Sequence, residues 1–123
     1  MGEYLELFDD AEEELDMPPE DDDGNVEYKY TLCNCTMLKC ENIYGQMSTR
    51  LRNGNGTAYY QIGVMDSGQV LGLENEEIME TMMVFFFASR KFSPPPEMHV
   101  VKVRQGSVGM SLMMKVVLDV PEE

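Results

Sequence analysis

Residues Arg50 to Leu73, RLRNGNGTAYYQIGVMDSGQVLGL, fix the backbone in the middle of the chain. Arg50-Leu51-Arg52 reads as the last turn of a helix. Asn53-Gly54-Asn55-Gly56 stops that helix, because Gly and Asn tolerate the positive φ that follows a helix end. Thr57 to Met65 is rich in β-branched and aromatic residues and reads as a strand. Asp66-Ser67-Gly68 reverses the chain, and Gln69 to Leu73 returns it. Such a centre forces a fold built on a β-hairpin, with helical segments before and after.

Upstream, Asn25 to Leu32 alternates as a first strand, with Val26, Tyr28, Tyr30 and Leu32 on one face. Thr36 is suited to cap a helix from Met37 to Arg52. Cys40, Ile43, Tyr44, Met47 and Leu51 recur at helical spacing and form its buried stripe, and Arg50 and Arg52 suit its C-terminal dipole. Downstream, Asn75 caps a second helix running to about Lys91, with Ile78, Met79, Met82, Phe86 and Ser89 as the inner stripe. That assignment leaves Met83, Phe85 and Phe87 over. A helix apolar all round is buried on two sides or presents a surface to a partner, so Phe85 and Phe87 are candidate protein-contact residues. Ser93-Pro94-Pro95-Pro96 stops the helix. Met98 to Arg104 and Leu112 to Val120 read as two further strands, separated by Gln105-Gly106-Ser107. The order is β-α-β-β-α-β-β, and its first six elements match the split βαβ order of the ferredoxin-like plan. The expectation is an α+β domain over residues 25–121, a mainly antiparallel sheet with two helices on one face.

The 123 residues carry a formal charge of −14, unevenly spread. Residues 1–27 hold thirteen of the 23 acids and none of the nine bases, leaving ten acids against nine bases in the remainder. Residues 1–24 therefore read as an acidic tail that cannot bury enough apolar surface to fold alone. Tyr4, Leu7 and Phe8 interrupt the acids and are candidate anchors on a basic protein partner. Three cysteines, no signal peptide and no apolar run of membrane length argue for a reducing, cytoplasmic setting and no membrane partner. Twelve methionines suit either an adaptable core or a soft binding surface.

Chemistry-bearing motifs are scarce. Cys33, Cys35 and Cys40, with His99 as a fourth group, invite a zinc reading, but C-x-C-x4-C is not a common zinc spacing and there is no second pair. No metal or cofactor is expected. His99, the one histidine, has no nucleophile beside it in sequence, and RNGNG is not a phosphate loop, because no G-x-x-x-x-G-K-[ST] is present. The expectation is no enzyme and no small-molecule substrate. Arg50, Arg52, Arg90, Lys91, Lys102 and Arg104 are either ordinary solvated charge or a basic rim for RNA phosphates. Arg50, Arg52, Arg90 and Lys91, with Asn53 and Asn55, are the candidate RNA contacts, because both helix ends should meet at one edge.

The stretches PPEDDDGNVEYKYTL and QMSTRLRNGNGTAYYQIGVMDSGQVLGLENEEI resemble the region ahead of the GTPase domain in the elongation-factor-like GTPases called GTP-binding proteins one and two. The resemblance covers roughly residues 18–120. The GTPase domain itself is expected to be missing, so GTP hydrolysis does not carry over, and Cys33, Cys35 and the Phe85-Phe86-Phe87 run depart from the family's pattern. The resemblance implies contact with the translation machinery. A free-standing version of this domain resembles the small ribosome-bound dormancy factors of microsporidia. The expected function is a non-catalytic ribosome-binding factor that occupies a tRNA or mRNA path and holds the ribosome in hibernation, touching ribosomal RNA and basic ribosomal proteins. The alternative is a regulatory subunit that binds a separate GTPase in trans.

Overall fold

The structure, a computed structural model, describes residues 17–31 and 37–118. Tyr4, Leu7, Phe8, Cys33, Cys35 and the Thr36 cap lie outside the described residues. The elements run β1 (Val26–Lys29), α1 (Met37–Asn53), β2 (Thr57–Ile62), α2 (Asn75–Ser89), β3 (Glu97–Gln105) and β4 (Met110–Val117). The sheet order is β1-β2-β4-β3. β1 pairs with β2 in parallel, while β2–β4 and β3–β4 are antiparallel. The expected α+β class is present: two helices on a four-stranded mixed sheet.

The strand order differs from the split βαβ plan, and the difference begins in the hairpin. Met65 N–H donates to Gln69 O at 2.9 Å and Gly68 N–H to Met65 O at 2.8 Å, so the reversal is where the sequence puts it. The returning segment forms only isolated bridges, Val64 with Val70 and Leu73 with Met110. Gly63 and Gly72 adopt φ of +84° and +82°, which breaks the ladder. A Cβ on Gly72 would collide with the Gly109 carbonyl. Leu73 exchanges both backbone hydrogen bonds with Met110, so the return leaves β2 and leads into the start of β4.

Both helices lie on one sheet face. Ala58, Tyr60 and Ile62 of β2 face the same way as their register partners Val116, Met114 and Leu112 of β4. These six pack with Ile43, Met47 and Leu51 of α1 and with Phe85 and Ala88 of α2. Tyr60 and Phe85 meet edge to face with ring centroids 4.6 Å apart, a geometry that aromatic quadrupoles favour. The α1 stripe thus follows the sequence reading. The α2 stripe follows it in part: Ile78 and Met82 pack against the core and Ser89 is buried. Thr81, Phe85, Ala88 and Ser89 are buried, whereas Met79 and Phe86, read as inward, are exposed. A run of three phenylalanines carries no phase, and the core took the one that reaches Tyr60.

Residues 17–25, most of them read with the tail, pack on the domain as a strap. Met17 N–H donates to Gly68 O at 2.7 Å, Glu20 N–H to Asp66 O at 2.9 Å, and Tyr28 Oη–H to Pro18 O at 2.8 Å.

Candidate functional site

Arg50 occupies the last full turn of α1, at the spacing of the apolar stripe Ile43, Met47 and Leu51. It is 4 % exposed. Its Nε donates to Glu27 Oε1 at 2.8 Å, and its Nη1 donates to the carbonyls of Asp21 at 2.9 Å and Gly24 at 2.6 Å. Nη2 lies 3.7 Å from Glu20 Oε2. The guanidinium is consumed in tying the strap and β1 to α1. This corrects its assignment as an RNA contact: a side chain held by two carboxylates and two carbonyls has no face to offer a phosphate. The signal was present in the sequence, because 43, 47, 50 and 51 share one helical stripe, and a cation there needs a buried acid.

Burial holds Glu20 above the usual carboxylate range, and the neighbouring Glu27 and Asp66 push the same way, while the Tyr28 N–H, at 2.6 Å from Oε2, opposes them. A raised pKa in the fold means that Glu20 supports stability below its unfolded value and that this support is lost as pH rises through the folded value. Glu20→Gln keeps an acceptor for Tyr28 and removes the titration. The melting temperature of Glu20→Gln relative to wild type is therefore expected to be higher at pH 7 than at pH 4. A constant difference across that range, measured by circular dichroism, would exclude this origin.

The other RNA candidates are exposed: Arg52, Asn53, Asn55, Arg90 and Lys91. Asn53 spends its amide on the strap carbonyls of Asp23 and Gly24, each at 3.2 Å. Asn55 sits at φ +55°, where the helix stop requires it, and Gly56 N–H returns to Leu51 O at 2.8 Å. Arg52 and Asn55 line a groove of about 430 Å³ with Ser48, Leu51, Gly56, Phe92 and Leu118. Phe92 follows α2 and stacks tilted on Tyr44 of α1 at 4.7 Å. The C-terminal ends of the two helices therefore do meet at one edge, as their parallel strand partners require.

The phenylalanine run is split by its helix. Phe85 is fully buried, which removes it from the protein-contact candidates. Phe87 is 59 % exposed and lies beside Phe86 at 57 %, Met83 at 58 % and Met79 at 68 %. Arg90 sits over the Phe86 ring, 5.8 Å from its centroid, and Arg90, Phe86, Phe87 and Met83 line a second, shallower groove with Met82. Sequence reasoning missed Met79 and Phe86 here because it placed them in the core.

Among the described residues no three His, Cys, Asp or Glu side chains gather as a metal site, and no helix is long and apolar enough to cross a membrane. Cys40 is half-buried on α1, and His99 lies in the open on β3, 3.2 Å from Glu97.

An α+β domain with a basic helix edge and an apolar helix face has relatives among known proteins. The chain is 46% identical over 66 residues to GTP-binding protein 2 of human and of mouse, a match covering 54% of the chain and 11% of either relative. It is 34% identical over 76 residues to an uncharacterized protein of Acanthamoeba polyphaga mimivirus, covering 61% of the chain and 41% of that protein. The chain thus spans about a tenth of the length of GTP-binding protein 2. The resemblance read from the central motif is met in about half of the chain. No family model and no solved structure matches.

Proposed function

We propose that this domain is a non-catalytic ribosome-binding factor that occupies a tRNA or mRNA path and keeps the ribosome dormant. The observation that carries this reading is the groove where α1 and α2 end together. There Arg52 and Asn55 stand exposed beside the aromatic Phe92, which the exposed Lys91 precedes in the chain. Exposed cations at one edge suit RNA phosphates, and the similarity to GTP-binding protein 2 makes the ribosome the natural source of that RNA. Tyr4, Leu7 and Phe8 of the acidic N-terminal segment add contacts to a basic ribosomal protein.

The protein is expected to co-sediment with ribosomes at low salt. The double substitution Arg52→Glu, Lys91→Glu should weaken that binding and flatten its salt dependence by about 0.7–0.9 in log–log slope for each phosphate no longer neutralised. Its melting temperature should stay near wild type, because both side chains are exposed. Deleting residues 1–16, which leaves the strap in place, should weaken binding further. Protein found only in the free fraction at low salt would sink the reading.

The α2 face favours a second reading, a regulatory subunit docked on a separate GTPase in trans. Met79, Met83, Phe86 and Phe87 offer the apolar patch that such a partner would cover. An affinity pull-down that recovers one GTPase without ribosomal proteins would select it.

A further inference from the structure

The face of the sheet turned away from the helices has its own charge and its own aromatic. In register, Tyr59 of β2, Lys115 of β4 and His99 of β3 form one row across the sheet. Gln61, Met113 and Lys102 form the next row, and Ser111 and Arg104 the one after, with Gln61 and Ser111 buried. Tyr59, Lys115, Lys102 and Arg104 are all half-buried, flanked by neighbours yet open to solvent. β3 and β4 together contain three of the nine bases of the chain and a single acid, Glu97. Among the described residues neither Arg104 nor Lys115 has a carboxylate within ion-pair distance. Arg104 Nη1 instead lies 2.9 Å from the sulfur of Met17, where the strap borders the face.

A β-bulge arranges this. Val100 pairs with Met114 and Lys102 with Met113, so Val101 is skipped. Without the extra residue, Lys102 and Arg104 would turn toward the helices and Val103 would turn outward, because side chains alternate strictly along a strand. With it, Val103 joins the core, and both cations stand with Lys115 on the face turned away from the helices. Two cations two residues apart on one strand are about 6.6 Å apart along it. The row beside them carries the tyrosine.

We propose that this sheet face binds single-stranded RNA, with a base stacked on Tyr59 and phosphates held by Arg104 and Lys115. The chemistry is that of a stacking platform beside a cationic track. Charge complementarity selects the partner: an anion is drawn to two cations that have no carboxylate beside them in a chain whose overall charge is −14, and an aromatic ring selects an unpaired base over a duplex. The site is separate from the helix edge and needs no ribosome. Only the preference for RNA over DNA rests on the ribosomal reading.

The test is an anisotropy titration of the full chain with a short labelled oligouridylate at several salt concentrations. Saturable binding is expected, with a log–log salt slope of about −1.4 for two phosphate contacts at about 0.7 each. Arg104→Glu with Lys115→Glu should weaken binding at least about tenfold and flatten the slope. Tyr59→Leu should cost about tenfold, and Tyr59→Phe should restore wild-type affinity. Blunt duplex RNA of the same length should bind less well, and the charge-matched control Lys39→Glu should bind as wild type. Circular dichroism confirms that each variant is folded before titration. Absence of binding at the lowest salt overturns the proposal. So does wild-type affinity in Tyr59→Leu or in the double glutamate variant, a Lys39→Glu loss of equal size, or duplex binding as tight as single-strand binding. Ribosome co-sedimentation reads the helix edge independently, so either result stands if the other fails.

Discussion

Arg50→Met is expected to cost about 3–5 kcal/mol, a large part of what holds a domain of this size together. The substitution leaves Glu27, 8 % exposed, with Lys29 at 3.8 Å as its remaining cation in place of Arg50 at 2.8 Å. It also strips the Asp21 carbonyl of its donor and leaves the Gly24 carbonyl with Asn53 alone. A buried carboxylate stripped of its short hydrogen-bonded partner is the costly part, and a domain of this size has only about 5–15 kcal/mol of stability in total. Removing both partners is a different matter. Arg50→Met with Glu27→Met replaces an ion pair by apolar groups in the core, and much of the loss should be recovered. Arg50→Lys should fall between, because an ammonium cannot reach Glu27 and two carbonyls in the fixed fork that a guanidinium presents. Arg52→Met, in the same helix turn but exposed, should change stability by less than about 0.5 kcal/mol. Urea denaturation of the four variants measures all of this. An Arg50→Met midpoint equal to that of wild type would mean that the network does not support the fold.

The contrast between Arg50 and Arg52 also shows where sequence reading stops. Local rules placed β2, the helix stop at Asn53 to Gly56 and the α1 stripe correctly, because each rests on side chains and φ angles within a few residues. The strand order depended on something else. Gly63 and Gly72 look like ordinary turn residues, yet their positive φ angles send the return of the hairpin toward Met110 and away from β2. No local pattern announces that choice. Arg50 was legible in principle, since it falls on the stripe, but its partner Glu27 sits 23 positions away in a strand where alternation put the apolar residues on the other face. The bulge at Val101 is similar. Alternation along Met98 to Arg104 shows a strand, and only pairing with β4 shows that the period slips by one.

Phe85→Ala is expected to cost about 3–5 kcal/mol, and Phe87→Ala within about 0.5 kcal/mol. The two residues differ by two positions, about 200° around the helix, and so point to nearly opposite sides. Phe85 has no exposed surface and packs against Tyr60, so truncation leaves a cavity in the densest part of the core. Phe87 loses only a solvent-facing ring. Phe86→Ala adds a third value, about 0.5–1 kcal/mol, from the interaction with Arg90 at an exposed site. The same three variants separate stability from partner binding. If α2 docks on a protein, Phe86→Ala and Phe87→Ala should weaken the complex while leaving the denaturation midpoint almost unmoved, and Phe85→Ala should do the reverse at equal folded concentration. Equal costs for Phe85 and Phe87 would place α2 in a different rotation about its axis. The inward phase suggested by sequence, with Met79 and Phe86 in the core, would then stand in its place.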